Sequence, residues 1–217
     1  MATATVEASA GRIGIYGGAF DPVHRAHIAL AKAALRQFEL QKIIFVPTGK
    51  PPHRGLSGTS QADRLAMLDL ATRDCEQFVV DTWEFRQSST TYTYETLSHF
   101  CQSKTTEYFF LMGGDSLLEF TSWHRWEEIL QLCHLAVAKR PGSDQQPLPT
   151  GLAECVVDSE VKPRNRTGNI YFIDTEALAV SATSIRDQFS SGVVEGGDQL
   201  HPGVAKYIQD NRLYQNA

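Results

Sequence analysis

The segment from Ile13 to His27, IGIYGGAFDPVHRAH, constrains the fold more than any other part of the chain. It runs from an apolar, strand-like stretch through Gly17 and Gly18 into two histidines, three residues apart, that open a helical pattern. That order predicts a strand-to-helix junction suited to phosphate. Glycines let a ligand approach the backbone, and the N–H groups at a helix start favour an anion. His24 and His27, at i and i+3, face the same side of the first turn, so both imidazoles can reach one phosphate chain. On spacing alone, a plain cap or surface pair remains the competing reading.

The remaining sequence repeats the alternation of strand and helix. Arg12 to Tyr16 reads as a strand, Ala26 to Phe38 as a helix with Ile28, Ala31, Leu35 and Phe38 at helical spacing, and Lys42 to Val46 as a second strand. Such a unit implies a parallel sheet with a crossover helix. A loop dense in Pro and Gly, Pro47 to Gly58, leads to a capped helix over Ser60 to Arg73 and a short strand at Phe78 to Val80. Tyr92 to Cys101 is expected to be helical, and Tyr108 to Met112 a strand that ends in Gly113, Gly114 and Asp115. Trp123 to Leu132 reads as a helix, His134 to Ala138 and Ile170 to Ile173 as strands, and Gly142 to Gly151 as a surface loop. Thr183 to Phe189 and Pro202 to Asn211 close the chain as helices, with Pro202 suited to a first turn. The expected class is α/β: a Rossmann-like, doubly wound, mainly parallel sheet with helices on both faces and its ligand beyond the carboxyl edge. Residues 1–11 read as a flexible N-terminal tail and 12–217 as a single domain.

Composition narrows the ligand. The net charge of -5 argues against a broad nucleic-acid surface but allows a local basic pocket for small phosphorylated molecules. No apolar run is long enough to span a membrane. Cys75, Cys101, Cys133 and Cys155 are far apart and form no Cys-x-x-Cys pair, which predicts free thiols and no protein-held metal site. With no basic-plus-apolar leader in view, the expected compartment is the reducing cytoplasm. The glycines do not form GxGxxG, which together with the histidine pair argues against a dehydrogenase.

A second anion-binding pattern stands far downstream. Val180 to Arg186, VSATSIR, sets Ser181, Thr183 and Ser184 before or at a helix start and Arg186 one turn inside it. Capping is the commoner role for such hydroxyls. The two patterns together have a known counterpart, however. GGAFDPVHRAH resembles the GGTFDPxHxGH signature of nucleotidylyltransferases, and VSATSIR resembles their ISSTxIR motif. Ala19, Ala26 and Ala182 depart from these patterns, and Ala19 and Ala182 each remove a hydroxyl contact. Pro47 to His53 resembles a Pro-Pro-His substrate loop, Thr91 to Leu97 a Ser-Tyr-Thr-x-x-Thr-Leu segment, and Gly113 to Trp126 a Gly-x-Asp and tryptophan region. From Arg12 to Tyr214 the chain resembles the bacterial-type nicotinate mononucleotide adenylyltransferases.

The resemblance implies adenylyl transfer from ATP to nicotinate mononucleotide in NAD biosynthesis. His24, His27 and Arg186 would be catalytic and would neutralise charge on the phosphates. Gly17, Gly18, Phe20, Ser181 and Thr183 would join them in binding ATP, which carries Mg²⁺ mainly on its own oxygens. Lys50, His53, Tyr92, Thr93, Asp115, Trp123 and His124 would bind the mononucleotide, with Trp123 stacked on the pyridine ring. ATP and the mononucleotide are then the partners, with no nucleic acid or membrane, and with a homo-oligomer left open. Two other readings remain at this point: an adenylyltransferase for nicotinamide mononucleotide or, more remotely, phosphopantetheine, and a catalytically silent nucleotide-binding regulator on the same fold.

Overall fold

The computed structural model describes residues 11–50, 59–139, 148–157, 166–173, 175, 180–192 and 197–215. The expected tail, most of the Pro47 to Gly58 and Gly142 to Gly151 loops, and His53 lie outside the described residues. Six strands form one sheet: β1 (Arg12–Gly18), β2 (Lys42–Pro47), β3 (Phe78–Val80), β4 (Glu107–Gly113), β5 (His134–Ala138) and β6 (Ile170–Ile173). Their order is β3-β2-β1-β4-β5-β6, and every pairing is parallel. This is the doubly wound arrangement, whose order reverses between β1 and β4.

Strand residues alternate between two apolar clusters because successive side chains leave opposite faces of a sheet. Tyr16, Ile43, Phe45, Phe109 and Leu111 enter one cluster, packed beneath α1 (Arg25–Gln37), α2 (Gln61–Thr72), α6 (Ala182–Ser190) and α7 (Pro202–Asp210). Ile15, Ile44, Val46, Phe110 and Met112 enter the other, beneath α3 (Thr93–Phe100), α4 (Gly114–Leu118) and α5 (Trp126–Leu132). Burial on both faces explains why β2 and β4 read as continuous apolar runs.

Most expected elements appear within a residue or two of their predicted limits. Ser60 caps α2 by accepting the Asp63 N–H at 3.1 Å, and His201 caps α7 ahead of Pro202. One helix is shorter than its apolar pattern implies. Phe120–Ser122 forms a single 3-10 turn, Arg125 turns left-handed at φ 57°, and α5 begins only at Trp126. Trp123 therefore lies in an irregular bend, not on a helix.

Candidate active site

The strand-to-helix junction is built from β1 and α1 as the sequence predicts, and its backbone strain sits at Phe20. Neither Gly17 nor Gly18 takes a positive φ; Phe20 does, at 49°. Gly18 is instead closely packed: an added Cβ would lie 3.2 Å from the Phe20 ring, which would have to give by a few tenths of an ångström. A left-handed aromatic residue costs on the order of 1–3 kcal/mol and persists only where its surroundings over-determine it. Here Phe20 is buried edge-on to Tyr16 and His27, with centroids 5.5 and 5.2 Å apart.

His24 is the N-cap of α1, and His27 lies three residues on, with the two rings stacked at 3.7 Å. The His24 backbone N–H donates to His27 Nδ1 at 3.1 Å. That bond makes Nδ1 an acceptor, so a neutral His27 carries its proton on Nε2 and presents it as a donor. Burial lowers the His24 pKa to about 4. His27 is also held well below its usual value, by burial and then by His24. Because the site desolvates their charged forms, both imidazoles are neutral near pH 7. In that neutral form each ring keeps one N–H donor.

The fixed cation is Arg186. It reaches from α6 to donate through Nη1 to the Asp21 carbonyl at 2.7 Å and through Nη2 to Thr183 Oγ1 at 3.1 Å. Two of its five N–H groups are spent this way among the described residues. Ser181 caps α6, its Oγ accepting the Ser184 N–H at 3.1 Å, while its own proton remains a donor. Thus Ser181 and Thr183 serve the helix and Arg186, and both stand at the α6 N-terminus beside the histidine junction. Asp21 joins the two motifs, since its Oδ1 also accepts the Tyr214 hydroxyl at 2.7 Å.

Across the switch point, β4 delivers Gly113 and Gly114 to α4, with Asp115 exposed in its first turn. The α3 N-terminus meets the segment that follows α4 through Tyr92 and His124. Tyr92 caps it and gives its N–H to Glu95 Oε2 at 2.9 Å, while its ring lies 4.6 Å from that of His124. Tyr92, Thr93, Trp123 and His124 are therefore brought together. The Tyr92 N–H is already used, and the Glu95 N–H donates to the Tyr92 carbonyl at 3.0 Å, which leaves the Thr93, Tyr94 and His124 backbone N–H groups without an acceptor among the described residues. Trp123 is half-buried and held by Phe120 and Phe110, at 5.4 and 6.2 Å. Lys50 is tied down by a 2.9 Å bond from Nζ to the Ser88 carbonyl.

Two buried ionisable groups lie near the site: Glu84, which no sequence motif marks, and Arg64, which belongs with Met67 to the family resemblance in the helix after the Pro-Pro-His loop but has no role there. Glu84 accepts from the Gly49 N–H at 3.1 Å and from Thr96 Oγ1 at 2.7 Å, fastening the start of the loop after β2 to α3; burial raises its pKa. Arg64 donates through Nη1 to the Ala19 carbonyl at 2.9 Å. The available signal was a charge inside an apolar stripe, Arg64 with Met67, Leu68 and Ala71 on α2.

A model of the cytidylyltransferase-like family matches residues 15–188, which include both motifs. The chain belongs to that family. It is 36% identical to a protein of Synechococcus sp. (strain JA-2-3B'a(2-13)) named "Probable nicotinate-nucleotide adenylyltransferase", over 94% of this chain and 96% of that protein. A Pseudomonas fluorescens protein of the same name is 38% identical, over 94% of this chain and 97% of its own length. In fold, the chain is similar to the Plasmodium falciparum nicotinic acid mononucleotide adenylyltransferase complexed with NaAD. That match has a TM-score of 0.74 and 19% identity and covers 95% and 98% of the two chains. Within the family, the chain groups with the nicotinate-nucleotide adenylyltransferases.

Proposed function

We propose that this enzyme transfers the adenylyl group of ATP to the 5′-phosphate of nicotinate mononucleotide, forming nicotinate adenine dinucleotide and pyrophosphate in NAD biosynthesis. The observation that carries the reading is the junction of two distant motifs. Arg186, bonded to the Asp21 carbonyl, stands over the loop that delivers the stacked His24 and His27. The curated relatives bear the same activity in their names along nearly the whole chain.

A phosphate monoester has its second pKa near 6, so the nucleophile is mostly dianionic at neutral pH and needs no general base. One of its oxygens bonds to the α-phosphorus as the bond from that phosphorus to the bridging oxygen breaks, and pyrophosphate leaves in line. The protein contributes position and charge. The Nε2–H of His27 and the His24 ring donate to phosphoryl oxygens, the α1 N-terminus adds its partial charge, and Arg186 balances the departing pyrophosphate. ATP is the magnesium complex in this reading. Among the described residues no group of three His, Cys, Asp or Glu side chains is placed to hold a metal, and Asp21 is engaged by Tyr214. Such a donor set fits an ion carried on nucleotide oxygens, where it neutralises phosphate charge.

The mononucleotide occupies the opposite side of the switch point. Trp123 offers an indole face to the pyridine ring, the donors near Thr93 and His124 favour carboxylate over carboxamide, and Asp115 accepts from a ribose hydroxyl. Lys50 and His53 belong to the loop that meets its phosphate. The four cysteines are free in the structure, in keeping with a reducing cytoplasm, and no described helix is long and apolar enough to cross a membrane.

The deciding experiment is pyrophosphate release with Mg²⁺ and ATP, using nicotinate mononucleotide, nicotinamide mononucleotide or no acceptor, with the product identified by mass. Strong preference for the acid form is expected. Preference for the amide would overturn the pocket, and ATP binding without product would favour a silent regulator.

A further inference from the structure

Arg64 is fully buried on the inner face of α2, yet its guanidinium is poorly satisfied. Nη1 meets the Ala19 carbonyl, the group lies 5.1 Å from the centre of the Phe85 ring, and neither Nε nor Nη2 has a partner among the described residues. Burial lowers its pKa, opposed by Asp21, Tyr214 and Glu84 in that order. Leaving charged donors buried without acceptors is unfavourable, and an apolar side chain of similar volume often serves stability as well or better. Stability alone therefore does not account for an arginine here.

Its one strong bond is aimed at a peptide that matters. Ala19 precedes the strained Phe20, and the Ala19–Phe20 peptide is trans. In a planar trans peptide the carbonyl and the following N–H point in opposite directions. Holding the Ala19 oxygen toward Arg64 therefore turns the Phe20 N–H away from it, and no described residue accepts that N–H. We propose that Arg64 is a positioning residue for ATP: it locks the Ala19–Phe20 peptide so that the Phe20 N–H stays presented as an anion donor beside the histidine pair. The assignment rests on the nucleotide-site reading given above.

Arg64→Met keeps the apolar stem and removes the donor. The variant is expected to fold, with a Tm equal to or above wild type, while both the KM for ATP and the calorimetric Kd of a non-hydrolysable ATP analogue with Mg²⁺ rise about 10-fold or more. The KM for nicotinate mononucleotide should not move. Arg64→Lys, which restores one charged donor, should fall between wild type and Arg64→Met. Wild-type ATP affinity in Arg64→Met, or equal rises in both KM values with a lower Tm, would overturn the proposal. Should Arg64→Met not fold, Arg64→Lys decides: a rise confined to ATP supports the role, and no rise or an equal one defeats it. A wild-type protein that binds the analogue but makes no dinucleotide would sink the adenylyl-transfer reading alone, because the Arg64 effect is still read from the Kd.

Discussion

Arg186 Nη1 donates to the backbone carbonyl of Asp21 at 2.7 Å, across 165 residues of sequence. The bond makes the second phosphate motif a geometric dependent of the first, since the loop that feeds the histidines also fixes the guanidinium. A lysine carries the same charge but has no planar fork to hold Asp21 and a phosphate together. Arg186→Lys should therefore lower kcat/KM for ATP on the order of 100-fold, with the Tm nearly unchanged. Initial rates at saturating mononucleotide test this; a loss under about 5-fold would show that charge alone suffices.

Tyr214 completes the same joint by giving its buried hydroxyl to Asp21 Oδ1. Tyr214→Phe removes the donor and keeps the ring, so a loss of about 1–3 kcal/mol in unfolding free energy is expected from urea denaturation. ATP affinity should weaken alongside, because the Asp21 carbonyl that anchors Arg186 loses its support. Unchanged stability with unchanged ATP affinity would mean that the loop holds itself.

Much of this arrangement was legible in the sequence. Strand alternation, the cap at Ser60, the first-turn Pro202 and the order of the two motifs are local signals, and these mark where helices and strands run. The bend at Trp123 to Arg125 was not legible. Its apolar and charged residues match a helical pattern, and the left-handed Arg125 with its guanidinium 3.6 Å from the centre of the Tyr94 ring is a tertiary outcome. The bonds from Arg64 to Ala19, Tyr214 to Asp21 and Glu84 to Gly49 were equally hidden, because each joins segments far apart in sequence. The charge state of the histidines was not legible for a related reason. Desolvation belongs to the folded site and has no trace in residue spacing.

That desolvation has a pH signature. Burial lowers both His24 and His134 to about 4, and His27 lies well below its usual value. Each binds fewer protons folded than unfolded, so their stabilising contribution is full above pH 6.5 and is lost as pH falls toward 4. The Tm should drop steadily through that window. Mg-ATP shifts the balance the other way at the site, because phosphates favour the protonated imidazoles of His24 and His27. Calorimetry at pH 6 in two buffers of different ionisation heat should show proton uptake on ATP binding. His27→Ala should reduce that uptake and lower turnover on the order of 100-fold or more. Zero uptake by the wild type would show that the imidazoles stay neutral when bound.

Trp123 gives the sharpest test of the mononucleotide side. Its ring is braced by Phe120 and Phe110 and is only half-buried, so one part of the indole packs while another stays accessible. Stacking of a base on an aromatic side chain is worth about 1–3 kcal/mol, which corresponds to roughly 5- to 150-fold in affinity. Trp123→Ala should raise the KM for nicotinate mononucleotide within that range, while the KM for ATP stays within about 2-fold. Some loss of Tm is expected too, since the braced part of the ring leaves a gap beside Phe120. Trp123→Phe should recover part of the binding, because a smaller ring still offers a flat face. The comparison separates a platform from a packing residue: a packing defect would move both KM values together and follow the Tm, whereas a ring platform moves one KM and spares the other.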